Sequence, residues 1–176
     1  GTPAIGVGAG NVTVIVDETA DLDAAAFKIM KSKTFDHATS CSSENALVVV
    51  DKIYDTFLEK LGDCGGRLLD EQEKQTLQDS LWVNGKLNRQ MLARDAEILC
   101  QMADLKRIDS TETKFLMVEE SGIGPDYPFS GEKLSPVLSV YRASDFDDAQ
   151  QTALNILNHQ GKGHSIGLHS SLEERA

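Results

Sequence analysis

Residues 12–16 (VTVIV) form a short, nearly continuous apolar run rich in β-branched side chains, the pattern of a strand buried on both faces. The segment that follows, DETADLDAAAFKIMKSK, predicts a helix capped by Thr19 or Asp21, with Leu22, Ala25, Ala26, Ile29 and Met30 on one face. After a polar loop the pattern returns. Residues 46–50 (ALVVV) predict a second buried strand, and DKIYDTFLEKLG a helix with Ile53, Phe57, Leu58 and Leu61 inward and Gly62 as its stop.

Residues 71–104 predict two helical stretches broken around Asn84-Gly85, the second carrying Met91, Leu92, Ile98, Leu99 and Met102. Residues 114–118 (KFLMV) and 137–141 (VLSVY) read as strands on either side of a Gly- and Pro-rich loop. Ser144, with Asp147 three residues on, predicts the start of a last helix through Asn158, and HQGKGH turns into a closing strand, SIGLHS. Strands alternating with helices predict an α/β fold: one domain over residues 1–176, three layers, a mostly parallel sheet with helices on both faces and right-handed crossovers. An N-terminus with no element before the first strand and a C-terminus (SLEERA) resembling a helix cut short suggest that this is a piece of a larger polypeptide.

The 176 residues are 40% hydrophobic and 26% charged, ordinary for a chain burying one substantial core. No run of eighteen apolar residues occurs and the N-terminus lacks a basic, then apolar, leader, so the expectation is a soluble, cytoplasmic protein with no membrane partner. Twenty-eight acidic against 17 basic residues give a net charge of −11, which disfavours nucleic acid and anionic membranes. Three widely spaced cysteines fit a reduced compartment, and no metal-ligand spacing is present.

The glycines of GVGAG (6–10) resemble half of a dinucleotide fingerprint, but here the strand follows them, which favours a tight backbone turn packed beneath another element. Cys64 in GDCGG and Cys100 in EILCQM sit where a cysteine serves as a small hydrophobe. Cys41, in FDHATSCSSEN, lies instead in a loop at the mouth of a strand, where α/β sheets open crevices for ligands; context alone leaves a structural and a reactive role both open.

Four ordered stretches bear on that choice: AGNVTVIVDETADLDAAAFKIMKSKTFD, FDHATSCSSENALVVV, EKLSPVLSVYRASDFDDA and GKGHSIGLHS. Together they resemble the aldehyde dehydrogenase superfamily, and more closely its CoA-acylating branch, over nearly the whole chain. The resemblance implies that Cys41 is the catalytic nucleophile and that Glu132 contacts the nicotinamide ribose; the alternative for Glu132 is a solvated loop carboxylate. It implies NAD or NADP as cofactor, coenzyme A as co-substrate, a small aldehyde as substrate, and a homo-oligomer for the full-length enzyme. It also implies that the nucleotide-binding domain is absent from this chain, so that the isolated chain should fold yet oxidise aldehydes poorly or not at all.

In the hydrolytic branches a glutamate near the position of Val7 activates water, whereas residues 1–16 contain no carboxylate. Water ionises near pH 15.7 and needs a base. A thiol ionises near 8.5 and attacks a thioester without one, so coenzyme A is the natural acyl acceptor. His37 lies four residues before Cys41 and invites a Cys–His pair, but reads better as a loop or substrate-pocket residue. His159 and His164 flank GKG, with a turn role favoured over phosphate binding through Lys162, and Ser40, Ser42 and Ser43 either line the aldehyde pocket or cap backbone groups. Two rival readings remain: a non-catalytic α/β assembly module with Cys41 a spectator, and a hydrolytic dehydrogenase forming a carboxylic acid.

Overall fold

In the computed structural model, which describes Pro3 and residues 8–175, the apolar runs do become strands. The chain order is β1 (Val12–Val16), α1 (Leu22–Thr34), β2 (Glu44–Val50), α2 (Tyr54–Asp63), β3 (Gly66–Leu68), α3 (Glu71–Leu81), β4 (Trp82–Val83), β5 (Lys86–Leu87), α4 (Ala96–Met102), β6 (Phe115–Glu119), β7 (Val137–Ala143), α5 (Phe146–His159) and β8 (Ile166–His169). Six strands form one sheet in the order β3-β6-β7-β2-β1-β8, and every pairing is parallel. Continuous apolar runs are what this arrangement requires, because strands covered on both faces have no solvent side to alternate toward.

Side-chain alternation divides the core in two. Val12, Val14, Val16, Leu47, Val49, Leu138 and Val140 face Ala25, Ala26 and Ile29 of α1 and Phe57 and Leu61 of α2. On the opposite face, Ile15, Ala46, Val48 and Tyr141 meet Ala149, Ala153 and Ile156 of α5. Leu116, Val118 and Val137 of the same face meet Leu77 and Leu81 of α3 and Leu99 of α4. Helices therefore cover both faces, giving the three layers expected. Each fully buried Leu, Ile, Val or Phe contributes about 1.5–3 kcal/mol, so these faces drive the fold.

Local boundaries follow identifiable chemistry. Asp21 caps α1, its carboxylate accepting from the Ala24 N–H at 3.0 Å. The helix α5 is capped by Asp145, not Ser144: the Asp148 N–H donates to Asp145 at 2.9 Å, while Asp148 in turn accepts from the Ser144 N–H at 2.8 Å. Only the cap half of the expected box is present, one residue later than the sequence suggests, because Asp148 accepts from Ser144 and not from Asp145. Gly62 does not stop α2; the helix runs through Asp63, and the left-handed turn is made at Gly65, with φ of +96°.

The break at Asn84-Gly85 is a hairpin turn joining β4 and β5 rather than a gap between helices, with φ of 53° and 71° at the two residues, the sign that a primed two-residue turn demands. Met91 is buried in the loop before α4, and Met102 at its end is 40% exposed, so the second helix is shorter than its apolar spacing predicts. The residues after β8 close in a short 3-10 turn over Glu173–Arg175. Among the described residues no helix is long and apolar enough to cross a membrane.

Candidate active site

Four adjacent strands, β7, β2, β1 and β8, present their amino ends side by side. The segments entering them carry the residues singled out in the sequence: Glu132 ahead of β7, Cys41 ahead of β2, Gly10 and Asn11 ahead of β1, and the GKG turn ahead of β8. Open parallel sheets usually hold ligands outside the carboxyl ends of their strands. The expectation that Cys41 opens on such a crevice is corrected here, since it lies at the opposite edge.

These segments are tied together by specific contacts. Gly10 packs so closely on the Cys41 loop that a β-carbon there would lie 2.8 Å from the Cys41 carbonyl oxygen and 3.1 Å from the Cys41 Cβ. The Gly10 N–H donates to Glu132 Oε1 at 3.1 Å, and the Gly10 carbonyl accepts from Asn45 Nδ2 at 3.3 Å. Asn45 Oδ1 accepts from the Lys133 N–H at 3.1 Å, joining β2 to the Glu132 loop. Asn11 Nδ2 reaches Ser130 O at 2.8 Å and Gln160 O at 3.2 Å, and Gly161, at φ of +101°, lies against Asn11 so tightly that a β-carbon would approach to 3.0 Å. Cys41 and Glu132 are thus brought to one site with Gly10 between them. Gly6 and Val7, the rest of the proposed turn and the position of the missing base, lie outside the described residues.

Cys41 is exposed, Cys64 half-buried and Cys100 buried. Burial pushes the Cys100 thiol up to about 11, which makes it inert at neutral pH. Around Cys41 the Ser43 N–H closes a turn on Ser40 O at 3.0 Å, and the Ser40 and Ser42 hydroxyls lie 2.9 Å apart. The Cys41 N–H has no acceptor among the described residues. Ser43 is buried, so it does not line an open pocket.

Upstream, Asp36, His37 and Ala38 all adopt the left-handed region, with φ of 48°, 53° and 60°. Each such non-glycine residue costs on the order of 1–2 kcal/mol. Thr39 Oγ1 secures the run by donating to both Asp36 O and Asp36 Oδ2 at 2.7 Å. His37 is not paired with Cys41; its Nδ1 lies 2.9 Å from Asp95 Oδ1, and Asp95, at the start of α4, makes no capping bond of its own.

Glu132 lines a cleft of about 740 Å³ with Trp82, Leu87, Pro128, His159 and Gln160. With Oε1 held by Gly10, its Oε2 retains acceptor capacity toward that cleft, which fits a hydroxyl donor such as a ribose. His159 ends α5 beside Glu132, whereas His164 sits in the next turn with Nδ1 3.1 Å from Ser165 Oγ. No group of three or more His, Cys, Asp or Glu able to hold a metal occurs among the described residues.

The Aldehyde dehydrogenase family model matches residues 6–73, which contain Gly10 and Cys41. The acylating sulfoacetaldehyde dehydrogenase of Cupriavidus necator is 52% identical over 97% of this chain and 35% of its own length. The crystal structure of an acetylating aldehyde dehydrogenase from Geobacillus thermoglucosidasius superposes with a TM-score of 0.93 at 38% identity, covering 99% of this chain and 38% of that one. Nearly the whole chain is similar to part of an acylating aldehyde dehydrogenase. It spans about a third of the length of these two relatives. The propionaldehyde dehydrogenase of Rhodopseudomonas palustris, solved with bound propionyl-CoA, matches with a TM-score of 0.83 and 26% identity over 94% of this chain and 36% of that one.

Sequence reasoning did not find Asn45, Asn11 or the lysines beneath the site. Asn45 stands two residues from Ser43 inside the same polar segment, and an amide entering an otherwise apolar strand was the available signal.

Proposed function

We propose that this chain carries the nucleophile of a CoA-acylating aldehyde oxidation. The observation that carries the reading is an exposed thiol at Cys41, on a turn packed against Gly10, with Glu132 fastened to the other side of the same glycine. The Cys41 thiolate forms a bond to the aldehyde carbon, and the carbonyl electron pair moves onto oxygen as an alkoxide. The unengaged Cys41 N–H is a donor for that oxygen. Collapse of the alkoxide expels hydride from the same carbon, oxidising it to a thioester on Cys41. NAD(P)+, when bound, accepts that hydride, and the thiolate of coenzyme A takes the acyl group, returning Cys41 as thiolate. Glu132 orients the ribose from the cleft wall. The absence of a carboxylate from residues 1–16 favours a thiol over water as the acceptor.

On this reading residues 1–176 form the thiol-bearing domain and the nucleotide-binding domain is not among them, so the chain alone turns over aldehyde slowly or not at all. The expected substrate is a small aldehyde, in a cytoplasmic, homo-oligomeric enzyme. Iodoacetamide applied to the native chain at near-neutral pH should alkylate Cys41 well ahead of Cys64 and Cys100, read by peptide mass spectrometry. Equal labelling of Cys41 and Cys64 would return the reading to a non-catalytic α/β module.

A further inference from the structure

Glu132 is held at both ends. Its carboxylate Oε1 accepts from the Gly10 N–H at 3.1 Å, and its own backbone N–H donates to Gln160 Oε1 at 2.6 Å. Gln160 is the residue at which the chain leaves α5, in extended backbone with φ of −153°. Its N–H still closes the helix on Ile156 O at 3.0 Å, and Ile156 is fully buried against the sheet, so the side chain starts from a point fixed to the core. The amide lies over Gly131, where a β-carbon would come within 2.6 Å of Gln160 Oε1, so a larger residue there would displace this oxygen. The Gln160 carbonyl accepts from Asn11 Nδ2 at 3.2 Å, and Asn11 follows Gly10 in the chain. These contacts close a ring: Glu132 N–H to Gln160, Gln160 to Asn11, Asn11 through one peptide bond to Gly10, and Gly10 back to the Glu132 carboxylate.

Resting on the reading of Glu132 as the ribose contact, we propose that Gln160 is a positioning residue for Glu132. A glutamate side chain is flexible, and a carboxylate held at one oxygen alone can still swing as its backbone shifts. Fixing the backbone N–H as well narrows the ways in which Oε2 can turn from the cleft that Glu132 and Gln160 line together. The ring thus supplies in advance the ordering that a ribose hydroxyl would otherwise have to impose on binding. Gln160 acts in this role through Glu132 alone. Where position 132 has no carboxylate, Gln160 has nothing to aim.

Trp82 is the single tryptophan of the chain and lines this cleft, so its fluorescence reads occupancy. The test titrates nicotinamide mononucleotide into the full native chain, Glu132→Ala, Gln160→Met, Gln160→Glu and the Glu132→Ala/Gln160→Met double variant. Glu132→Ala should weaken binding about tenfold and Gln160→Met about fivefold. Gln160→Glu keeps an accepting oxygen for the Glu132 N–H and should stay within about twofold of the native chain. The double variant should bind no more weakly than Glu132→Ala, whereas a merely structural loss would multiply the two effects. Native-like binding by Gln160→Met, equal weakening by Gln160→Glu, or a double variant weaker than Glu132→Ala by a further factor of about five would overturn the proposal. Should Gln160→Met lose its circular-dichroism signature of folding, Gln160→Asn, one methylene short of the Glu132 N–H, takes its place with the same expectation. A native chain that does not bind the mononucleotide, or Glu132→Ala binding it equally well, removes the ribose reading and this proposal with it. A Glu132-dependent affinity indifferent to position 160 removes the positioning role alone, so the two failures are distinguishable.

Discussion

The two edges of the sheet solve opposite electrostatic problems. At the carboxyl edge charges are matched to charges: Arg142 pairs with Asp51 at 2.7 Å and with Asp55 while stacking over the Tyr54 ring at 4.0 Å, and Tyr54 donates to Glu119 at 2.9 Å. Arg175 likewise binds Asp17 at 2.8 Å and Glu18 at 3.1 Å, and Lys74 reaches Glu120 at 3.2 Å. At the amino edge the lysines Lys33 and Lys133 are dry and held by peptide carbonyls, a glycine takes the place of a side chain, and a thiol is left exposed. An edge whose charges neutralise one another has little left for chemistry. The thiol stands on the edge that does not.

The sharpest way to separate the edges is pH. Lys33 has a folded-state pKa lowered to about 7, so between that pH and its ordinary value near 10.5 the unfolded chain binds more protons than the folded one, and stability rises with pH. In Lys33→Met the gain in urea stability across pH 7.5–9.5 should be smaller than in the native chain by about 1 kcal/mol per pH unit, the remainder coming from Lys133, which burial lowers in the same sense. The carboxyl edge shows the same sign at a far lower pH. Burial alone would raise the Asp17 carboxyl, but hydrogen bonds from Ser170, Thr19 and Arg175 hold it below its ordinary 3.8. Its contribution is present at neutral pH and is lost as pH falls below about 4.

Asn45→Ala should come next, costing about 2–3 kcal/mol, because the Gly10 carbonyl and the Lys133 N–H both lose their partner in the interior. Gly10→Ala should cost about 1–3 kcal/mol through overpacking on Cys41 and should change the Cys41 alkylation rate. Gly62→Ala is its control: nothing lies within 4 Å of the added methyl inside α2, and the substitution should stabilise by about 0.5–1 kcal/mol. The smallest effect belongs to Arg142→Met, whose exposed pairs should yield a marginal change in Tm that disappears in molar salt.

How far the sequence could be read depended on how much of the signal was local. β1, β2, β6 and β7 were legible because strands covered on both faces must be apolar throughout, and the segments that hold Cys41 and Glu132 stood out because their motifs occur in order. β3 was not, since three residues (GRL) at a sheet edge carry no periodicity, and β4 and β5 were hidden because two-residue strands depend on the Asn84-Gly85 turn rather than on their own composition. Lys33 left a trace that went unread: it follows Ile29 by four positions and so shares the inward face of α1 with Ala25, Ala26 and Ile29. Lys133 left none, because its burial is set by Phe129 and Gly131 carbonyls that only the folded loop brings to it.

The left-handed run at Asp36–Ala38 has an evolutionary corollary. Three successive positions that penalise a β-carbon, and penalise β-branching most, narrow the set of tolerated replacements to glycine, asparagine, aspartate and a few others. Diversification of the segment leading into Cys41 would then proceed by exchanging small polar residues on a fixed backbone path, leaving bulkier innovation to neighbouring loops.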